Sequence, residues 1–338
     1  MTTISEKDFL NSIFPMLKQG KDIIVGPGDD CAAVDIGDSE SYFLLAVDQL
    51  ISTVHFDPND TAPEEAGAKL INRNISDIAS MGGKPLHALV TLAVGNQKPE
   101  WINLFYKGLC READKWDVSI CGGDVALLNK TENFVSTLSI TGKVKKNNIC
   151  LRKNACVGDL LYGTGTYGNS YATRHHLNFT PRVKEAAFLA SGYMPKPIHF
   201  SESQRQNLLP KSQNKNRLAY TTAMMDVSDG LLLDTQRMAE ASGVTIKLFL
   251  NTIPARTSNL PIQNILSDGE DYELIFTVKP SLEEKLVNEW TFSEVKLTKI
   301  GEILPFQNCS VVDENVRDLF EQFSEIGYDH FLKKQNLY

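Results

Sequence analysis

A chain of 338 residues is long enough for two domains, each with its own core. Apolar residues make up 42% and charged residues 22%, a balance that excludes a disordered chain. With 34 basic against 42 acidic residues the net charge is −8, and no long basic run is present, which excludes a nucleic-acid or anionic-membrane surface and suits a site that collects cations.

Six cysteines (Cys31, Cys110, Cys121, Cys150, Cys156 and Cys309) form no Cys-x-x-Cys pair, so they read as reduced thiols and not as a disulfide frame or a zinc site. The opening residues mix acids with short apolar pieces and do not read as a signal peptide. No stretch approaches the ~18 apolar residues a membrane helix needs. A cytoplasmic protein is expected.

In chain order, Phe9, Ile13, Met16 and Leu17 fall at helical spacing and predict an opening helix. The turn Gly26-Pro27-Gly28-Asp29-Asp30 follows. Strand-like runs at 42–47, 88–94, 118–121 and 134–142 alternate with helical patterns over 64–81 and 100–116. A polar break near 145–148 separates these from a new strand at Leu160-Leu161-Tyr162, so we place a domain boundary between 148 and 149. The second half continues with a helix over 231–241, a strand over 272–278 and a helix after Pro280, while the aperiodic polar stretch 201–217 predicts a loop. The alternation predicts an α/β (α+β) layered architecture. A short echo, Asn74-Ile75-Ser76-Asp77 against Asp226-Val227-Ser228-Asp229, hints at two related halves.

The aspartates carry the chemistry. Asp29 and Asp30 sit in a glycine-rich turn, Asp48 ends an apolar run, and Asp124 ends Cys121-Gly122-Gly123, places where acids face the rim of a sheet. Asp beside Gly is usually a turn former, and for any one of them that reading is the stronger. Together they favour a shared cation. Asp77 falls in the last turn of its predicted helix, against the helix dipole, and Asn74 shares a polar face with it beside the stripe of Ile71, Ile75 and Ile78. Asp226 and Asp229 flank Ser228 before a helix, where capping accounts for one acid but not both. Carboxylates without histidine suit magnesium better than zinc. Gly163 to Gly168 spells G-x-G-x-x-G, but Asn169 stands where a P-loop needs Lys and no acid is well placed for a dinucleotide ribose, so a tight turn is the simpler reading.

Read together and in order, Gly26 to Ala33, Val47-Asp48-Gln49 with His55-Phe56, Asn74 to Gly82, Gly122-Gly123-Asp124, Leu151-Arg152, Asp226 to Leu231, Gly269 to Leu274 and Gly327 to Phe331 resemble the thiamine-monophosphate kinases. The resemblance implies the fold of aminoimidazole-ribotide synthetase: an N-terminal ATP- and magnesium-binding dimerisation domain (1–148), whose sheet joins that of a second subunit in a barrel, and a C-terminal α/β domain (149–338). It implies a homodimer that transfers the γ-phosphoryl group of ATP to thiamine monophosphate at the dimer cleft. By position, Asp30, Asp48, Asp77, Asp124, Asp226 and Asp229 would hold Mg2+, Tyr106, Gly123, Asp124, Arg152 and Ser228 would contact ATP, and His55, Glu270 and Tyr328 would contact the thiamine substrate. Ala46-Val47 and Val125-Ala126 stand where that family carries hydroxyl residues, Asn169 replaces an Asp, and Ile198 replaces an Arg. A superfamily member acting on another phosphorylated small molecule, or a non-catalytic nucleotide sensor, stands as the alternative.

Overall fold

The computed structural model describes residues 5–129, 131–193 and 219–331; the stretch 201–217, His199 and Ile198 lie outside the described residues. The opening pattern forms α1 (Glu6–Ile13), capped by Ser5, but no residue of it is buried.

The first sheet takes its strands from the first half of the chain: β1 (Ile23–Val25), β2 (Ala32–Val34), β3 (Ser41–Ile51), β4 (Lys84–Val94), β5 (Ser119–Leu127) and β6 (Phe134–Lys145), in the order β1-β2-β3-β6-β4-β5. Only β4 and β5 pair in parallel. Two strands run further than their apolar runs suggest. The β3–β6 ladder is unbroken from Ser41 to Ile51, so Asp48 lies inside β3, opposite Leu138, and not at a strand end. β5 continues through Gly122, Gly123 and Asp124 because β4 offers it a long backbone edge. Gly123 meets that edge closely: a Cβ there would stand 1.7 Å from the Val90 carbonyl oxygen.

Two helices cover one face of this sheet, α2 (Pro63–Ser80) and α3 (Pro99–Trp116), each opening on a proline whose missing N–H costs nothing at a helix start. They approach at glycines. A Cβ on Gly67 would lie 2.0 Å from the Phe105 carbonyl oxygen, and one on Gly108 would lie 1.9 Å from that of Glu64. The stripe Ile71, Ile75 and Ile78 is fully buried, each side chain contributing about 1.5–3 kcal/mol by leaving water.

The second sheet holds β7 (Leu160–Thr164), β8 (Met224–Asp226), β9 (Thr245–Leu248), β10 (Leu274–Val278), β11 (Leu297–Leu304) and β12 (Val311–Val312), in the order β12-β9-β11-β7-β10-β8. Around it lie α4 (His175–Asn178), α5 (Val183–Ser191), α6 (Leu231–Ser242), α7 (Ile262–Ser267), α8 (Pro280–Glu289) and α9 (Leu319–Gln322). Leu161, Met225, Leu231, Ile246 and Ile275 belong to a core of this half. The first core is shared between the halves, since Ile71, Ile75 and Ile78 cluster with Phe188, Leu189 and Phe276. α2 is therefore the element that both halves pack on, and its polar positions face the seam. Among the described residues no helix is long and apolar enough to cross a membrane.

Candidate active site

Asp30, Asp77 and Asp226 each offer a carboxylate oxygen within 4.8 Å of the others. They arrive from three elements: the loop before β2, the last turns of α2, and the end of β8. Serines of α2 hold two of them, Ser76 donating to Asp226 Oδ2 at 2.5 Å and Ser80 to Asp30 Oδ2 at 2.7 Å. Arg152 pairs with Asp30, and the Arg152 amide donates to Asp29 Oδ2 at 3.1 Å. Burial, and then Asp48, Asp226 and Asp30, push the Asp77 carboxyl well above the usual range. Burial and then Asp30 do the same to Asp226, and Asp29 is pushed up to about 7 by burial and the neighbouring Asp30 charge. Crowded acids of this kind call for a neutralising cation. Their hard oxygen donors fit magnesium. Burial, and then the Asp77 charge, push the buried Cys31 thiol up, which favours its neutral form.

The other sequence candidates stand at different distances from this cluster. Asp48 faces it from β3 and pairs with Arg73 at 3.3 Å. Asp229 is held by Arg237 at 2.6 Å. Asp124 sits on the exposed edge strand β5, beside Thr91 of β4, and is not among the grouped acids. The expected helix cap at Ser228 or Asp229 does not form: α6 starts at Gly230 without a side-chain cap, and Asp234, inside the helix, accepts from both the Ser228 and Asp229 amides at 3.0 Å. Asn74, three residues before Asp77 on α2, is buried and donates to the Leu70 carbonyl at 2.9 Å.

Beside the acids lies a cavity lined by His55, Arg73, Tyr171, Ser228, Asp229, Glu270, Tyr328 and His330. It joins β3–α2 residues to those of the second half. His55 accepts the Ile51 amide on Nδ1 at 3.0 Å, and burial drives its pKa down to about 2, so the ring is neutral. Glu270 is fixed by the fully buried Lys69 at 2.5 Å, whose ammonium also donates to the His55 carbonyl. The Tyr328 hydroxyl meets His330 Nδ1 at 3.3 Å.

The G-x-G-x-x-G turn is occupied by protein. Gly168 donates its amide to the buried Asp271 carboxylate at 3.0 Å, and Glu273 presses against Gly165 so closely that a Cβ there would stand 2.0 Å from its carboxylate. No dinucleotide phosphate is served by these groups. Tyr106 lies half-buried on α3 with its ring edge-on to Phe105. Sequence reasoning passed over Arg73, Ser76, Ser80, Lys69 and His330. Arg73, Ser76 and Ser80 share the polar side of α2 with Asp77 at helical spacing, which is the one signal that pointed to them.

Two α/β halves with an acidic cluster at their seam match a known class. The AIR synthase related protein, N-terminal domain, matches residues 28–144, and the AIR synthase related protein, C-terminal domain, matches 157–314. A thiamine-monophosphate kinase of Rhodopirellula baltica is 33% identical over 88% of this chain and 89% of its own length. That of Bacillus subtilis is 30% identical over 97% of this chain and 100% of its own. The solved structure of AaThiL complexed with AMPPCP and TMP superposes with a TM-score of 0.71 at 25% identity, covering 98% of each chain. The chain belongs to the AIR synthase-related proteins and, within them, to the thiamine-monophosphate kinase family.

Proposed function

We propose that this chain transfers the γ-phosphoryl group of ATP to thiamine monophosphate, yielding thiamine diphosphate and ADP. The observation that carries it is the grouping of Asp30, Asp77 and Asp226, linked through Arg73, whose charge interacts with both Asp77 and Glu270, to a cavity lined by His55, Glu270 and Tyr328. The acceptor's phosphate has a second pKa of ~6 and is already largely ionised at neutral pH, so the site needs no general base. Neither His55 nor Glu270 is placed as one: burial holds the His55 pKa far below its ordinary value, and Glu270 is ion-paired with Lys69.

Asp30, Asp77 and Asp226 would hold Mg2+, with Asp48 facing them and Asp229 on the cavity side. Bound magnesium would neutralise the two phosphate groups that must approach each other. Ser76 and Ser80 orient the ligand oxygens, and Arg152 balances Asp30 while offering its remaining donors to ATP phosphates. Ser228 would offer its hydroxyl, Gly123 its backbone and Tyr106 a ring face to the nucleotide. His55, Glu270 and Tyr328 contact the thiamine moiety, the carboxylate facing its cationic ring.

The homodimer is part of this reading. Leu45, Val47 and Leu89 are exposed on the open face of the first sheet, and Val125 and Leu127 are exposed on the opposite side of the outermost strand β5; a second copy of the sheet would cover the open face and the edge of β5. Val47, where the family carries a hydroxyl, falls on that open face, whereas Val125 stands in register with the buried Leu92 and lies on the other side of β5. Asp124 reaches a metal site through that second copy. The split at 148/149 separates the dimerising sheet from the C-terminal α/β domain, and a chain whose six cysteines are free thiols is in keeping with a cytoplasmic protein.

Incubating the purified protein with ATP, magnesium and either thiamine monophosphate or free thiamine, and separating products by chromatography, tests the reaction. Thiamine diphosphate from the monophosphate, and no product from free thiamine, is the expected result. Comparable phosphorylation of free thiamine would refute it.

A further inference from the structure

Arg73 stands between the acid cluster and the cavity and has no assigned part in either. On α2 it precedes Asp77 by one turn, so the two share a face of the helix. Its side chain lines the cavity together with His55, Ser228, Glu270 and Tyr328. Nη1 donates to the Gln49 carbonyl at 3.0 Å. Nε stands 3.3 Å from Asp48 Oδ2 but is buried without a hydrogen-bond partner, so that contact is an attraction of charges lacking a directed bond. A guanidinium carries five N–H donors in a planar fork, and most of this fork is unspent.

The charges around the cavity make this arginine distinctive. Each acid that lines it is held from outside: Asp229 by Arg237 at 2.6 Å, Glu270 by Lys69 at 2.5 Å, and Asp268 by the Asn169 amide at 2.6 Å. Lys69 is committed to Glu270 and to the His55 carbonyl. His55 is neutral. Arg73 is thus a fixed positive charge on the cavity wall, on the side toward Asp77, where the phosphate end of an acceptor must lie if its γ-phosphoryl donor is held by the acids. Planar N–H pairs match phosphate oxygens in a bidentate way that lysine cannot copy.

We propose that Arg73 binds the phosphate of the acceptor and so makes the site select a phosphate monoester over the corresponding alcohol. The proposal rests on reading the cavity as the acceptor site. Its energetic sense is direct: the acids that gather the metal repel an incoming dianion, and one unspent guanidinium on the acceptor side offsets that repulsion.

Calorimetric titration of thiamine monophosphate and of free thiamine, without ATP, into wild-type protein, Arg73→Gln and Arg73→Lys tests it. The wild type should favour the monophosphate. Arg73→Gln should lose about ten- to a hundredfold of the monophosphate affinity while its thiamine affinity is unchanged. Arg73→Lys, which keeps the charge and guards against a folding defect, should fall between them. In turnover, KM for the acceptor should rise and KM for ATP should not. A Gln variant that keeps the wild-type preference overturns the proposal. So does an equal loss for both ligands, because Arg73 would then only support the wall through Asp48. A wild type that turns over the monophosphate yet binds it no better than thiamine overturns the proposal alone; one that neither binds nor turns it over removes the acceptor-site reading as well.

Discussion

Ser76 on α2 donates its hydroxyl to Asp226 at the end of β8 at 2.5 Å, joining residues 150 positions apart and tying the two halves at the acid cluster. That bond holds the Asp226 carboxylate, one oxygen of which lies within 4.8 Å of oxygens from Asp30 and Asp77. The acid cluster is thereby a property of how the halves pack.

Replacing Asp77 by Asn should lower turnover by about a hundredfold or more, since neutralising phosphate charge is the main catalytic demand. The same substitution should not lower, and is expected to raise, the melting temperature measured in chelator. The reason is that burial and the surrounding carboxylates hold the Asp77 pKa well above its ordinary value, so its charge at neutral pH opposes folding. Added magnesium should raise the melting temperature of the wild type and not of the variant. A variant that keeps near-normal turnover at saturating magnesium would remove Asp77 from the site.

Asp124 is exposed on the edge strand and apart from the grouped acids of its own chain. If it serves the site of a second subunit, Asp77→Asn and Asp124→Asn homodimers should each be inactive, while a mixture allowed to exchange subunits should recover activity. Equal mixing makes half the dimers mixed, each with one intact site, so about a quarter of wild-type activity is expected. No recovery after exchange, with mixed dimers shown by native mass spectrometry, would mean Asp124 acts within its own chain or not at all.

His176 is buried, with Nδ1 at 3.2 Å from the Ser170 carbonyl and its ring 4.4 Å from that of Tyr171. Burial, and then the Lys69 charge, lower its pKa from 6.5 to about 4. The sign follows from linkage: below 6.5 the unfolded chain takes up a proton that the folded chain refuses, so this histidine's contribution to stability is lost as pH falls from 6.5 toward 4. His176→Gln should therefore cost more stability at pH 7 than at pH 5, the difference narrowing by about 1–2 kcal/mol in urea titrations. A cost independent of pH would show that the ring titrates normally in the fold.

The sequence by itself determined the alternation of β3 to β6 with α2 and α3, the bounds of those two helices to within a residue or two, and the residue types of the candidate site; it left the short strands β1 and β2 unread and carried the opening helix past its end at Ile13. Local spacing suffices for these, because Ile71, Ile75 and Ile78 fix the buried face of α2 through a period the chain carries in itself. It also drew attention to Asp77 through the helix dipole. It placed Asp48 and Asp124 at strand ends, whereas both lie inside strands, since a strand's length is set by its partner's edge and the partners are distant in sequence. It expected a cap from Ser228 or Asp229, and Asp234 takes that part from within the helix. Which acids meet, which serines hold them, and which side of the cluster Arg73 guards were decided only by the tertiary structure. Those relations join Asp30, Asp77 and Asp226 across the seam between two halves, and no local period records a contact made by packing.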